Sequence, residues 1–203
     1  MNILSPRDPL KPRKINPDSK KEAVFQASRR LFVERGYHSV SIPDIVRASG
    51  VSTGAIYRYF PNKEAMARHI HQLTLSHFQA MYEERLQGKT GIFDRLRTFA
   101  ELVFDLTERD PDMMAYLLFM RHGEFMPGAE PLCFTAPFKH IRDTVAEGME
   151  TGAIKEGDIF ITAVCFTGVI LRPADLRLRC VLDRPLTEVA DEIIANAWAA
   201  IRA

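Results

Sequence analysis

Two helix-start signals lie only eleven residues apart in the first third of the chain, at Ser41 and Ser52. Ser41 can cap a helix whose first turn contains a proline, and Gly50 ends this helix after about two turns. Ser52 or Thr53 can then cap a second short helix that runs to about residue 59. Helices of two turns are unstable alone in water, so both must pack on a neighbour. The segment therefore predicts two short helices joined by a tight turn, as in a helix-turn-helix.

The supporting helix is predicted immediately before this segment. Ser19 and Glu22 form a capping-box pattern, and Gly36 ends the helix. Apolar or small residues recur on one face at helical spacing, namely Val24, Ala27, Ser28, Leu31 and Phe32. Residues 1–17 contain four of the twelve prolines and no apolar period, which predicts a disordered, weakly basic arm. We expect a helix-turn-helix domain at residues 18–64 and a larger helical domain at residues 65–203.

The second short helix has two chemically different faces. Ile56 and Phe60, four residues apart, predict the buried face, and the other face carries Thr53, Gly54, Tyr57 and Arg58. Eight residues of helix measure about 12 Å, which matches the width of the B-DNA major groove, about 12 Å. Gly54 would let the backbone approach the sugar-phosphate chain closely. This helix is therefore predicted to enter the major groove.

Each polar residue of this region has a predicted role on DNA. We expect Thr53 and Arg58 to reach base edges, since arginine pairs best with the two acceptors of guanine. Tyr57 and Lys63 are expected to contact phosphates, as is Ser41 through backbone N–H groups at its helix N-terminus. The predicted DNA-binding residues are Ser41, Ser52, Thr53, Gly54, Ala55, Tyr57, Arg58, Tyr59 and Lys63.

The distribution of charge agrees with this interpretation. Residues 1–69 carry 13 Lys and Arg against 6 Asp and Glu, a net charge of +7, whereas the whole chain has a net charge of +1. Such asymmetry is typical of a chain with one end that meets a polyanion, although solvated faces of different sign give the same count.

Residues 41–65, SIPDIVRASGVSTGAIYRYFPNKEA, resemble the DNA-binding signature of the tetracycline-repressor (TetR) family. The signature positions are occupied by Ile45, Gly50, Val51, Ser52, Ile56, Tyr57, Phe60 and Lys63. Thr53 and Tyr59 differ from the residues that are frequent there, so the operator sequence does not follow from the motif. The resemblance implies an all-α fold of about nine helices, three for DNA and about six for effector binding and dimerisation.

The remaining sequence is consistent with a sensor domain. A long helix is predicted from Asn62, its cap, to about Leu86, followed by amphipathic helices from Ile92 and from Asp110. Met and Phe are dense between residues 113 and 138; they form either plain core or an adaptable lipophilic pocket. Arg121 and His122 could pair with the polar end of a ligand or only cap a helix. The predicted pocket residues are His77, Met81, Phe99, Val103, Met113, Leu117, Met120, Arg121, His122, Phe138 and Phe166.

Two C-terminal helices predict a homodimer. Residues 159–171 are apolar on every side, and the last helix, expected from a Thr187 cap to Ile201, has a wide apolar face. Packing of both helices against a second copy would bury this surface, and a central helix buried within a monomer is the alternative. The predicted interface residues are Phe160, Val164, Val169, Ile170, Ile193, Ala197, Trp198 and Ile201.

The sequence shows no catalytic or cofactor motif, neither GxSxG, GxGxxG, a Walker loop nor HExxH, so we expect no enzyme activity, cofactor or metal. Three cysteines without a CxxC pair predict core or near-core thiols in a reducing cytoplasm. No segment has the pattern of a secretory signal, and the longest apolar run is too short for a bilayer, so we expect no membrane association.

These features favour a ligand-responsive transcriptional regulator, most simply a repressor, that binds a palindromic operator as a homodimer and leaves it when a small lipophilic or amphipathic effector binds. Two other classes stay open. One is an enzyme for a lipophilic substrate with a fused DNA-binding domain, and the other is an architectural DNA-binding protein without a sensor. An active-site nucleophile with its base would favour the first, and a solid C-terminal core would favour the second.

Overall fold

The computed structural model describes residues 17–203 except 121, 125, 127, 129–130 and 132–133. Within these residues the chain forms nine α-helices and no β-strand, as predicted. The helices are α1 (Pro17–Arg35), α2 (Ile42–Ser49), α3 (Thr53–Tyr59), α4 (Lys63–Leu86), α5 (Ile92–Arg109), α6 (Pro111–Phe119), α7 (Ala136–Glu150), α8 (Ile159–Leu178) and α9 (Ala190–Ile201). Short 3-10 turns lie at His122–Glu124 and Leu186–Glu188. The predicted disordered arm lies outside the described residues except for Pro17.

Side-chain caps fix where several helices begin. Ser41, Asn62, Asp110 and Asp158 each accept a hydrogen bond from the backbone N–H three residues ahead, at the starts of α2, α4, α6 and α8. Such caps satisfy N–H groups that have no partner within the helix. Gly50 ends α2 in the left-handed conformation, with φ of 68°, which glycine adopts without steric cost. The predicted starts of α2, α4 and α6 are confirmed.

Three details differ from the predictions. First, α1 begins at Pro17, so Ser19 lies inside the helix and is not its cap. Second, Thr187 lies in a 3-10 turn that buries Leu186, and α9 begins only at Ala190. The apolar side chain of Leu186 is drawn into the core, which interrupts the helix that Thr187 was expected to start.

Third, the two described cysteines, Cys165 and Cys180, are exposed and are not core residues. Cys165 lies on a face of α8 that this chain does not cover. The predicted core position of Cys133 lies outside the described residues.

The buried apolar side chains form two cores. The first, which we call the N-terminal core, lies between α1, α2, α3 and the first part of α4. The second, the C-terminal core, surrounds α5, which packs against α4, α6, α7, α8 and α9. The first core already includes Met66 and Ile70 of α4, beyond the predicted domain boundary at residue 64. That boundary stays a prediction.

One short helix belongs to both cores. Tyr116 of α6 lies in the N-terminal core, whereas Met113, Met114 and Leu117 of the same helix lie in the C-terminal core. α6 also packs along α1. Any displacement of α6 therefore acts on both regions of the molecule.

Candidate nucleic-acid interface and effector cavity

α3 presents the mixture of residues that the sequence predicted. Ile56 and Phe60 are buried against the N-terminal core, which confirms the predicted inner face. Ser52, Thr53, Gly54, Tyr57 and Arg58 are exposed, and Ala55 and Tyr59 are partly buried. The Tyr57 side chain is 50% exposed, an unusual position for a large aromatic ring in a single chain. The outer face of α3 thus carries hydroxyl and guanidinium groups, and at Gly54 no side chain covers the backbone.

Asp44 already occupies the N-terminus of α2. Its carboxylate accepts the backbone N–H of Ser41 at 2.8 Å, and the Ser41 hydroxyl accepts the Asp44 N–H at 3.3 Å, which completes a capping box. The Ser41 hydroxyl and the Ser41 backbone N–H both donate to the carboxylate, and these hydrogen bonds, assisted by Arg47 and Arg35, hold the pKa of Asp44 below its ordinary value. A phosphate at Ser41 would have to displace this carboxylate, so the predicted contact from Ser41 stays a prediction.

Lys63 forms hydrogen bonds within the N-terminal region. Its ammonium donates to the backbone carbonyls of Tyr37 and Val40, at 2.9 and 2.8 Å, and lies 4.1 Å from the centroid of the Tyr37 ring. Partial burial lowers the pKa of Lys63. The side chain therefore ties the α1–α2 loop to the start of α4, a role that the sequence did not indicate. The predicted phosphate contact stays a prediction.

A buried ion pair joins the two parts of the molecule. One guanidinium nitrogen of Arg29 in α1 contacts both carboxylate oxygens of Asp110, at 2.7 and 2.8 Å, and Arg29 is only 2% exposed. Asp110 also caps α6 by accepting the N–H of Met113 at 3.0 Å. Asp110 therefore has two roles: it caps α6 and forms the ion pair with Arg29 of α1. Sequence reasoning found the cap but missed Arg29, because the two residues are 81 positions apart.

A small apolar cavity lies in the C-terminal core. Its volume is about 10 Å³, room for about one water molecule. The lining residues are Leu75, Phe78, Phe99, Val103, Met114, Leu117, Leu118, Pro137, Phe138 and Leu171. Four predicted pocket residues are among them, namely Phe99, Val103, Leu117 and Phe138. The cavity as it stands cannot hold a larger molecule, so a ligand would have to part the side chains around it.

The structure places the other predicted pocket residues elsewhere. His77 is exposed beside Phe25 of α1, and Met120 packs against the N-terminal core. Met81, Met113 and Phe166 pack in or against the C-terminal core but do not line the cavity. His122 lies with His71 and Tyr116 at the junction of the two cores, and Arg121 lies outside the described residues.

Part of the predicted dimer interface is buried inside the single chain. Ile170, Ala197 and Ile201 belong to the C-terminal core, so they do not form an outer face, in contrast to the prediction. Phe160, Val169, Ile193 and Trp198 are partly buried, and Trp198 packs on Phe93. Of the predicted set, Val164 is the well-exposed member, at 44%.

The exposed apolar face of α8 includes Ile161, which is 59% exposed, and Val164. Ile159 is also exposed, at the first position of the helix. Sequence reasoning could not choose this side, because α8 is apolar all round. Within the described residues, α8 is the one helix with the length and apolar composition to span a bilayer, and 28% of its most apolar stretch is buried in the chain.

Comparison with known proteins decides the family. The model of the family described as "Bacterial regulatory proteins, tetR family" matches residues 24–70, from within α1 to the first third of α4. The chain belongs to the TetR family. One relative, the "Uncharacterized HTH-type transcriptional regulator YvdT" of Bacillus subtilis (strain 168), is 32% identical over 95 residues, 47% of this chain and 49% of the relative. The chain thus spans about half the length of that curated relative.

Solved structures share the TetR fold over nearly the whole chain. The transcriptional regulator FadR from Bacillus subtilis, in complex with stearoyl-CoA, has a TM-score of 0.74 at 21% identity and covers 89% of this chain and 99% of its own. AibR, in complex with isovaleryl coenzyme A and operator DNA, has a TM-score of 0.69 at 19% identity and covers 87% and 97%. At these identities the likeness shows the fold alone.

Proposed function

We propose that this TetR-family chain is a ligand-responsive transcriptional repressor. It binds a palindromic operator as a homodimer, in the cytoplasm, and a small lipophilic or amphipathic effector releases it. The observation that carries the proposal is the outer face of α3, where Thr53, Gly54, Tyr57 and Arg58 lie exposed on a helix anchored by buried Ile56.

The size of α3 supports entry into the major groove. Its seven residues measure about 10 Å, which the groove, about 12 Å wide, admits. Arg58 can donate two hydrogen bonds to guanine, and Tyr57 and Thr53 can reach phosphates or base edges. The buried side chains of Ile56 and Phe60 hold this helix against the N-terminal core.

The exposed face of α8 supports a dimer. Ile161 and Val164 would leave water if α8 and α9 packed against the same helices of a second copy in a four-helix arrangement. The contact would be isologous, with the same face on both subunits. A two-fold dimer presents two α3 helices to one side of DNA, which suits half-sites about 34–36 Å apart.

The effector would bind in the C-terminal core. Phe99, Leu117 and Phe138 around the small cavity are apolar, and Met114 is a flexible side chain that accommodates different shapes. FadR and AibR share the fold and are known in complex with acyl-CoA molecules, which makes acyl compounds the first effectors to test. Because the cavity holds about one water, effector binding must move its walls, and two of these walls, α4 and α6, also reach the N-terminal core.

One observation favours the second candidate, an architectural DNA-binding protein without a sensor. A core with a cavity of only about 10 Å³ is nearly solid. This candidate predicts binding that ignores DNA sequence and does not respond to any acyl compound. An enzyme with a fused DNA-binding domain has no comparable support in the described residues.

Fluorescence anisotropy with the full chain tests the proposal. The labelled probes are the DNA upstream of the protein's own gene and a shuffled duplex of equal length, each at several salt concentrations. We expect at least about tenfold tighter binding to the upstream DNA. The variant Tyr57→Ala should lose this preference, with Glu84→Ala on exposed α4 surface as the control. Equal affinity for both duplexes would contradict the repressor proposal, and a chain that sediments as a monomer would contradict the dimer.

A further inference from the structure

Three voids lie in a row along the contact between α7 and α8. The first is the apolar cavity of the C-terminal core, and the second is a separate void, also of about 10 Å³. The third is an open surface groove of about 560 Å³ beside the start of α8. Phe138 lines both the cavity and the second void, and Arg142 and Phe160 line both the second void and the groove. Neighbouring voids therefore adjoin at these shared side chains.

Both helices give the same order of the voids. Along α8, Phe160 lines the groove, Thr167 the second void and Leu171 the cavity, and their spacing places them on one face of the helix. Along α7 the order is reversed, as expected for antiparallel helices, because Pro137 lines the cavity and Ala146 the groove. The two stretches measure about 16 Å on α8 and about 14 Å on α7. We call this row of voids the α7–α8 track.

The inner part of the track is apolar. The hydroxyl of Thr167 donates to the carbonyl of Ala163 in its own helix at 2.9 Å, so its hydrogen is already used. Phe138 packs edge-on against Phe99 of the cavity, with ring centroids 5.6 Å apart, and is only partly buried. Because a phenylalanine ring makes no hydrogen bond, rotation of Phe138 to another rotamer costs apolar contacts alone. Such a rotation would join the cavity to the second void.

An aromatic pair lies at the outer end of the track. The Phe160 ring stacks on the Phe134 ring, with centroids 5.4 Å apart and 15° between the planes. Phe134 is 52% exposed, and the Arg142 guanidinium lies 5.6 Å from the centroid of its ring. Exposed apolar side chains that border a groove are typical of a surface that binds an apolar partner. We call this end of the track the mouth.

The charges at the mouth are balanced. Arg142, Asp143 and Asp158 line the groove, and Asp143 is paired with Lys139 at 2.6 Å. Asp158 also caps α8 by accepting the N–H of Ile161. Two positive and two negative groups favour neither an anionic nor a cationic head group. The selective feature of this site is therefore the narrow apolar track.

The track and the exposed face of α8 lie on different sides of this helix. Ile161 and Gly168 are exposed, and each follows a residue of the track by one position, after Phe160 and Thr167 respectively. One position corresponds to about 100° of rotation around a helix. A second copy on the exposed face and a ligand in the track thus use different side chains of α8, except for Val164 at their border.

We propose that the α7–α8 track binds a molecule with one long unbranched hydrocarbon chain, whose tip reaches the apolar cavity and whose head group stays in the surface groove. The proposal rests on the proposed effector response and gives the effector its chemical class. Each inner void holds about one water, so the chain must turn Phe138 and Phe160 aside. A chain tip in the cavity meets Met114 and Leu117 of α6, the helix that packs along α1.

The first test is the dependence of affinity on chain length. Titration calorimetry on the full chain compares straight-chain alcohols from hexanol to dodecanol with the matching carboxylates. We expect the affinity to rise roughly fourfold per methylene group, with the same slope in both series, until the chain fills the track. An affinity that does not depend on chain length, or that is as high for branched isomers, would overturn the proposal.

The second test asks whether one end of the ligand stays outside. The probes are a dodecyl chain with maltose at one end, used below its micelle concentration, and the same chain with maltose at both ends. The chain with one head group should bind, and the chain with two should bind at least about tenfold more weakly, because its tip cannot pass between α7 and α8. Equal affinities would show that the chain does not enter the track.

The third test blocks or opens the track. Ala163→Leu fills the second void, Phe138→Trp enlarges the inner gate and Phe138→Ala removes it, and Ala80→Leu on exposed α4 surface is the control. We expect each blocking variant to weaken dodecanol binding at least about tenfold and the control to change it less than about twofold. Urea denaturation identifies the variants that fold. Unchanged affinity in a folded blocking variant would contradict the proposal.

Rates distinguish a gate from an ordinary contact. Stopped-flow fluorescence with a dodecyl chain that carries a fluorophore at its head measures association and dissociation. Phe138→Ala should raise both rates severalfold, because it removes an obstacle to entry and exit alike, whereas loss of a simple contact would raise the dissociation rate alone. A change in dissociation alone would refute the role of Phe138 as a gate.

Operator binding measured in parallel separates this proposal from the proposed function. If a compound releases the DNA equally well from the wild type and from both blocking variants, the repressor proposal stands and the track fails as the effector site. If chains bind in the track but leave DNA affinity unchanged, the site stands and the proposed effector response fails.

Discussion

The two cores of this molecule are closed by different kinds of interaction. The N-terminal core is closed by polar clamps between elements, including the Lys63 ammonium on two loop carbonyls and the capping box of Ser41 and Asp44. In the C-terminal core, the buried hydroxyls of Thr107 and Thr167 bond only back to their own helices. Apolar packing joins the helices inside this core, and the ion pairs between its helices, such as that of Arg177 with Glu108, lie at its partly exposed edge. Directional bonds resist small displacements more than apolar contacts do. The comparison suggests a rigid helix-turn-helix region attached to a helical region that can repack more easily.

The largest expected effect comes from Ile56→Ala in the N-terminal core. Ile56 is fully buried, and its truncation should lower the free energy of unfolding by about 2–4 kcal/mol and abolish operator binding. Urea denaturation measures the first quantity and fluorescence anisotropy the second. Tyr57→Ala, on the exposed side of α3, should abolish specific binding with a change in stability below about 0.5 kcal/mol. A similar loss of stability in both variants would contradict the assignment of inner and outer faces.

A smaller loss is expected when the ion pair between the two regions is broken. Asp110→Asn leaves the Arg29 charge buried without its counter-ion and should destabilise the chain by about 1–3 kcal/mol, reduced by the partial exposure of Asp110. Thermal unfolding measures this effect. Glu64→Gln, which breaks the exposed pair with Arg68, is the matched control, with an expected change near zero. Equal effects would show that the junction is no stronger than a surface contact.

Lys63→Met separates the two roles of this lysine. Loss of its hydrogen bonds to Tyr37 and Val40 should cost about 1–2 kcal/mol in stability. The salt dependence of operator binding tells whether Lys63 also contacts a phosphate. An unchanged slope of log K against log salt indicates a bracing role alone, whereas a slope smaller by about 0.9 indicates one lost phosphate contact.

The smallest effect concerns a carboxylate of the C-terminal core. Glu108 accepts two hydrogen bonds from Arg177, both at 3.0 Å, and one from the Leu186 N–H, and these lower its pKa. Because the folded-state pKa is lowered, the stabilisation is present above the ordinary glutamate pKa and is lost as the pH falls through the lowered value. Glu108→Gln should therefore cost about 1 kcal/mol at pH 7 and almost nothing in strong acid. Urea midpoints at several pH values measure this difference, and a pH-independent loss would contradict it.

The sequence predicted the features that depend on neighbouring residues. The caps at Ser41, Asn62 and Asp110 and the left-handed turn at Gly50 are local, because each needs only residues within one helical turn. These local features were sufficient to predict the helix-turn-helix and the starts of α2, α4 and α6.

Features that depend on the rotation of one helix against another could not be predicted. Periodicity shows that Met113 and Met114 are both buried, but not which of them reaches the cavity. It cannot tell which side of the uniformly apolar α8 faces outward, so the predicted interface includes Ile170, which is buried, and omits Ile161, which is exposed. The pairing of Arg29 with Asp110 could not be predicted either, because the residues near each of them in the sequence give no sign of a partner 81 positions away.

The sharing of α6 between both cores has a consequence for how the chain folds. A fragment that stopped at residue 64 would lack Met66, Ile70 and Tyr116, all of which complete the core around α2 and α3. Neither half could reach its final packing before the other, so the two should melt together in a single cooperative transition. We therefore expect that the helix-turn-helix region does not fold independently and unfolds together with the rest of the chain.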